Sequence, residues 1–404
     1  MKKEFEIIIV GAGLSGLSCA YECKKMNKDF IIIEETNRVG GKVGSIKENG
    51  YIFDLGFQVY NTNYINANSY LNMKDLKLNL FKPGALIHDN NSFKMFSDPI
   101  RDPITLFKTL FSGLSTLKDK FKILKLKYSL LGYSIEDDNT KESTTLEFLK
   151  EYGFSEKIIN CFFMPFFSGV FLESKLETSS KFFKFVFSNF NKGYAALPKN
   201  GMQEIPDQIY NRLDKGSILF NKKVLKIDDK GEITLNNNQI LKAKYIVLTG
   251  SLDKFLVDEK HFRSNSVKTM YFSTSIKIKN SNYINLFPHD DLINNIAVLT
   301  SISKAYSTNE DSLLSISIIN TNSRKDDLIP IVKLKLSNFY GAKESDFTFL
   351  KFFDLKKATI AQNAGHFEKR IEDNNKIIYA GEYTTNGSIE GAIKSGIQAF
   401  QKIF

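Results

Sequence analysis

Gly11, Gly13 and Gly16 follow directly on the apolar run Ile7-Ile8-Ile9-Val10 and open a stretch that reads as a helix. That spacing suits a backbone with three tasks. Gly11 bends the chain sharply off a strand, Gly13 lacks the Cβ that would hold a pyrophosphate away, and Gly16 lets helix and strand pack closely. The free N–H groups at the helix start, with the positive end of its dipole, then face phosphate. A second strand, Phe30-Ile31-Ile32-Ile33, ends at Glu34, 23 residues after Gly11. An acid there accepts a ribose 2′-hydroxyl and disfavours a 2′-phosphate. The chemistry is dinucleotide binding, and these residues leave open which dinucleotide.

A second glycine-rich turn, Arg38-Val39-Gly40-Gly41-Lys42, comes directly after the second strand, and a nicotinamide enzyme has no need of it. With the first turn and Glu34 it resembles the flavin-containing amine oxidoreductase superfamily, which includes amine oxidases, protoporphyrinogen oxidase and phytoene desaturases. The resemblance implies that Arg38, Gly40, Gly41 and Lys42 approach the FAD pyrophosphate and ribityl chain. The family usually has arginine where this chain has Lys42, which loses a bidentate contact. Leu14, Ser15, Glu35, Gly56, Phe57, Gln58 and Val224 join the cofactor set by the same resemblance, Val224 as a backbone contact to adenine. Far along the chain, Gly381-Glu382 and Ile389-Glu390-Gly391-Ala392 resemble the superfamily's C-terminal FAD motif. The resemblance gives Gly381 and Glu382 ribityl contact, and Ile389, Gly391 and Ala392 contact with the flavin edge. No second G-x-G-x-x-G is present to serve NAD(P).

A flavin that accepts hydride asks little of side chains beyond orientation and exclusion of water. The sequence carries no nucleophile constellation. His88, His261, His289 and His366 are scattered without the spacing of a metal site, so no metal is expected. Amine oxidases of the superfamily often place a lysine near flavin N5 and an aromatic cage before the substrate. Lys268, leading into a strand with Tyr271, is the nearest candidate, with a solvated strand-end lysine as the alternative. Thr384-Thr385-Asn386-Gly387 supplies no aromatic beside the C-terminal motif, which argues against an amine substrate. It supplies no cysteine either, so FAD is expected to be bound non-covalently.

The elements that position these residues are expected to form an α/β protein. Its core is a Rossmann-like FAD-binding domain of the glutathione-reductase type, with an inserted α+β substrate domain. The FAD domain is read as discontinuous, from residues 1–62, 191–265 and 365–404; residues 63–190 and 266–364 form the substrate domain. At 404 residues the chain has room for both. It has no apolar stretch long enough to span a bilayer and no evident signal peptide. Cys19, Cys23 and Cys161 are too few and too oddly numbered for a disulfide framework, which fits a reducing cytoplasm. Cys19 and Cys23 share a helical face as small core residues.

Residues 63–190 read as mostly helical. From Ile104 to Leu131 apolar residues recur at spacings of three and four, with a break expected at Gly113, and six lysines accompany a single acid, Asp119. Such a segment either packs its apolar stripe inward with the lysines solvated, or rests as a basic surface on anionic lipid. The run from Cys161 to Phe171 and Phe182 to Phe190 holds much of the phenylalanine, divided between core and an apolar cavity in proportions the sequence does not set. Strands are expected at Ser217–Phe220, Lys223–Ile227, Glu232–Leu235, Lys244–Thr249, Thr269–Lys279, Asn295–Ser301 and Ser312–Ile319, and a helix at Asp326–Asn338. The net charge of +10 is dispersed and no nucleic-acid module accompanies it. The expected function is an FAD-dependent oxidoreductase that takes hydride from a lipophilic small molecule, with the flavin reoxidised by oxygen or a quinone. Two alternatives keep the flavin: a redox-neutral isomerase, and a non-catalytic flavoprotein at a membrane.

Overall fold

A computed structural model describes residues 3–89, 92–98, 101–228, 230–250, 263–319, 321–368, 373 and 376–404. Of the residues singled out above, His261 lies outside them. Strand β1 (Glu4–Val10) runs parallel between β2 (Phe30–Ile33) and the strand Ile240–Thr249. Ile7, Ile8 and Ile9 are wholly buried, as a central parallel strand covered on both faces requires. Each contributes roughly 1.5–3 kcal/mol of burial. The sheet has seven strands: Ile218–Leu219 lies outside β2, Glu232–Leu235 and Val224–Ile227 extend the other edge, and Ile377–Ala380 lies parallel to Ile240–Thr249. Helix α1 (Leu14–Lys25) leaves β1 through the glycine turn and packs on the terminal helix Ile389–Ile403. Ser18 Oγ donates to the Ile393 carbonyl at 3.0 Å, and Ser395 Oγ donates to Ser15 Oγ at 3.0 Å. Small residues at this crossing let the two helices approach until the ends of the chain interlock. Cys19 and Cys23 are buried in the core beneath.

A second seven-stranded sheet runs in the order Thr348–Ile360, Ser264–Thr274, Ser312–Ile318, Ile293–Val298, Ile284–Leu286, Gly84–Asp89 and Ser92–Ser97. The hairpin at its far edge was not expected from the sequence, because its strands carry no clean alternation. The expected strand at 295–301 gives way after Val298 to the short helix Leu299–Ile302, and the expected strand from Thr269 to Lys279 runs instead from Ser264 to Thr274. Lys325–Tyr340 is the expected helix, longer by a few residues.

The lysine-rich segment is broken near Gly113, whose φ is +71°, into Leu106–Leu110 and Leu117–Ser129. Leu114, Leu126 and Leu130 turn inward, but Phe107 and Phe111 are 71% and 82% exposed and Phe121 is 72% exposed. Much of the apolar stripe therefore faces outward. The phenylalanine run follows a continuous helical path from Glu156 to Phe171. Pro165 has no N–H and its ring crowds the carbonyl of Cys161, so the preceding turn, Ile159–Phe163, widens to a π-helix.

Candidate cofactor and substrate site

Between the two sheets lies a cavity of about 1490 Å³ that begins at the glycine turn. Ordinary ligand pockets occupy roughly 300–1,000 Å³, so this one can hold a dinucleotide and a second molecule. Its near wall carries Gly11, Gly13, Leu14, Ser15, Glu34, Glu35, Arg38, Gly40, Gly41, Lys42, Gly56, Phe57, Gln58, Val224, Gly381, Glu382, Ile389 and Ala392. Segments more than three hundred residues apart thus converge on one surface.

Two predicted cofactor residues stand behind that surface. A Cβ on Gly16 would come within 2.0 Å of the Gly11 carbonyl oxygen, so this glycine serves helix–strand packing. A Cβ on Gly391 would come within 2.4 Å of the Asn386 carbonyl oxygen, and its N–H donates to Ser388 Oγ at 2.9 Å. Ser388 thereby caps the terminal helix and takes the N–H that the sequence reading had directed at the flavin edge. Flanking Ile389 and Ala392 do line the cavity.

Glu34 is 7% exposed. Its Oε2 accepts from the Ala12 N–H at 2.8 Å, and its Oε1 accepts from the N–H and hydroxyl of Thr36 at 2.9 and 2.7 Å. The carboxylate fixes both turns that flank the cofactor wall and keeps one lone-pair site on Oε2. The Arg38 guanidinium is wrapped around its own loop, donating to the carbonyls of Val39 at 3.1 Å and Gly41 at 2.5 Å. Burial pulls its pKa down from the usual arginine value, with Glu34 and Asp207 opposing. Lys42 pairs with Glu382 and Lys223 with Glu35, the latter at 3.1 Å. Lys222 and Lys223, which the sequence reading missed, stand beside Val224 on the cavity wall.

The expected catalytic candidates do not reach the cavity. Lys268 is 5% exposed and pairs with Asp354 at 3.0 Å; of the two, Asp354 lines the cavity. Tyr271 is fully buried and donates to the Asp54 carbonyl at 2.9 Å. Burial drives its pKa well above the usual tyrosine value. Asp54 is also buried: its carboxylate accepts from Ser45 Oγ at 2.5 Å, the Met202 N–H at 3.0 Å and Tyr306 Oη at 2.7 Å. Desolvation still raises its pKa to about 6 against those three bonds.

The rest of the lining is mostly apolar, with charged groups such as Asp98, Arg101 and Lys127 among it. Phe162, Phe166, Phe167, Phe182, Phe187 and Phe190 face the cavity, whereas Phe163, Phe171 and Phe183 are core. Leu117, Phe121 and Leu124 form part of the rim. The opposite wall comes from the second sheet, and includes Asn295 and Ser317. No sequence spacing points to these two, because strand register brings them together.

The donor set fits a flavin dinucleotide. Nothing stands within 4 Å of the place where a Gly13 Cβ would project, and no side chain caps α1. Both leave the helix start open to a pyrophosphate. Gln58 Oε1 and Asn61 Nδ2, an acceptor and a donor, are buried on the same wall without a hydrogen-bond partner. Hydroxyls and ring nitrogens of a flavin are the complementary chemistry.

An open sheet with a parallel core, a glycine turn into a helix and a long cavity roofed by a second sheet define an α/β dinucleotide-binding protein of the flavoprotein type. The profile of the flavin containing amine oxidoreductase family matches residues 14–280, and the chain belongs to that family, with FAD as its cofactor. A possible lysine-specific histone demethylase 1 from Drosophila melanogaster is 37% identical over 70 residues, 17% of this chain and 8% of that protein. Protoporphyrinogen oxidase 2 from Arabidopsis thaliana is 26% identical over 165 residues, 40% of this chain and 32% of that protein. The chain thus covers less than two thirds of either relative. A double mutant of putrescine oxidase made to redesign its cofactor binding superimposes with a TM-score of 0.75 at 12% identity, covering 100% of this chain and 99% of that one. That likeness is one of fold.

Proposed function

We propose that this protein is an FAD-dependent oxidoreductase that takes hydride from, and so oxidises or desaturates, a lipophilic small molecule. The observation that carries the reading is the cavity itself, whose lining joins the glycine turn at the start of α1 to a group of phenylalanines from the helical segment. FAD, when bound, supplies the two-electron acceptor. Gly11, Gly13, Leu14 and Ser15 would receive the pyrophosphate, Glu34 a ribose hydroxyl, and the segment from Gly56 to Gln58 the ribityl and ring. The phenylalanines would orient the substrate and exclude water, which is the protein's share of a hydride transfer.

A surface for anionic lipid belongs to the same proposal. Exposed Phe107, Phe111 and Phe121 stand among lysines on the segment whose inner side forms the cavity rim, a basic apolar face continuous with the route of entry. Among the described residues no helix is long and apolar enough to cross a membrane, so contact would be at the surface. Anaerobic mixing of the FAD-loaded protein with a panel of isoprenoid and porphyrinogen compounds tests the reaction. Bleaching of the flavin band by one of them supports it; a band unchanged by the whole panel, yet bleached by primary amines, would replace it with amine oxidation.

A further inference from the structure

Asn295 is a polar residue in a strand, Ile293–Val298, whose six residues are all buried. Its side chain lines the cavity, the residue is 2% exposed, and its amide nitrogen has no hydrogen-bond partner. The direction of that amide is set by its neighbour. Asn294 Nδ2 donates to the Pro165 carbonyl at 3.2 Å and to Asn295 Oδ1 at 3.0 Å. Rotating the Asn295 amide would bring two NH₂ groups face to face, so Oδ1 stays toward Asn294 and Nδ2 is left over.

The surroundings offer it little. Directly opposite Asn295 on adjacent strands stand Leu286 and Ser317, both on the cavity wall. Phe167, Val170 and Ile284 complete an apolar lining nearby. A buried donor without a partner keeps the cost of having left water. A ligand oxygen removes that cost; a hydrocarbon leaves it in place.

We propose that Asn295 is a specificity-determining residue, donating through Nδ2 to an oxygen of the bound substrate, so that the substrate class is an oxygenated lipophile and not a plain hydrocarbon. The inference rests on the lipophilic cavity proposed above and adds a polar anchor on its far wall. The ligand group is an acceptor, such as a carbonyl, ether or hydroxyl oxygen, with an apolar body packed on the phenylalanines.

An isosteric pair of probes tests it: 2-nonanone and 2-methyl-1-nonene, which differ by C=O against C=CH₂. Dissociation constants are measured by calorimetry on the FAD-loaded protein, each corrected for the probe's partition between water and hexadecane. On that scale the ketone is expected to bind at least about fivefold more tightly, because the correction already removes the cost of taking its oxygen out of water. Asn295→Leu should abolish the preference, weakening the ketone while the alkene binds as well or better. Asn295→Ala gives the same readout if the leucine is refused by the fold. Equal corrected constants in the wild type would overturn the Asn295 assignment and leave the lipophilic cavity standing, as would a ketone preference that survives both Asn295→Leu and Asn295→Ala. If neither probe binds, the lipophilic cavity itself fails, and this inference with it.

Discussion

Glu34 Oε2 accepts a hydrogen bond from the Ala12 N–H at 2.8 Å, so the acid that closes β2 also holds the glycine turn that opens α1. One carboxylate therefore shapes the phosphate site and remains available to a ribose. Glu34→Gln turns an NH₂ group toward one of these donors. FAD affinity should fall at least roughly tenfold, since hydrogen bonds to a charged group contribute about 1.5–3 kcal/mol. Titration of the FAD-free protein with FAD, followed by flavin fluorescence, checks this. An unchanged affinity would remove Glu34 from the cofactor site.

The two glycines that follow should separate under substitution. At Gly13 an added methyl meets only open cavity, so Gly13→Ala should fold with stability within about 1 kcal/mol of wild type while losing FAD. At Gly16 the same methyl meets the Gly11 carbonyl oxygen at 2.0 Å, so Gly16→Ala should destabilise the FAD-free protein itself. Thermal melts and flavin content of the two variants report both effects. Equal melts with equal flavin would contradict the packing described.

Asp54 makes stability depend on pH in an unusual direction. Its folded pKa of about 6 lies above its ordinary value of 3.8, so the folded state holds the proton more tightly than the unfolded chain. The stabilisation is fully present below 3.8 and is lost as pH rises through 6. A shift of that size corresponds to about 3 kcal/mol. Relative to Asp54→Asn, the wild type should lose about 2 kcal/mol between pH 4 and pH 7 in urea denaturation, part of the effect being gone already at pH 4. Parallel pH profiles would show that the carboxyl is not desolvated as its contacts imply.

The cofactor wall was largely legible in the sequence because its chemistry is local: a glycine is needed where a backbone must bend or approach, and an acid where a strand ends. What was misread depended on contacts that the motifs themselves do not show. Gly391 looks like a flavin contact until Ser388 is seen to cap the helix over it. Lys268 resembles a catalytic lysine until Asp354, 86 residues further on, is found to hold it. Asn295 and Ser317 carry no signal at all, since only the register between their strands sets them side by side. The phenylalanines showed their number but not their sides, which the π-turn before Pro165 helps to decide.

Membrane contact is expected to be electrostatic and apolar together. In low salt the protein should float with vesicles containing phosphatidylserine and release as salt rises. Replacing Phe107 and Phe111 by serine should abolish flotation without altering flavin content, because both are exposed and neither lines the cavity. A protein that stays at the bottom of the gradient in low salt would contradict a lipid-facing role for this segment.

A non-covalent FAD site in the cavity between the sheets is open to a direct test. Its most direct measurement is the visible spectrum of the protein, taken before and after denaturation and removal of the polypeptide. The folded protein should show flavin absorption, carried by the native cavity or restored by adding FAD, and intact FAD should be recovered in the supernatant. A colourless protein that FAD does not reconstitute would contradict it, as would flavin that stays with the precipitated chain.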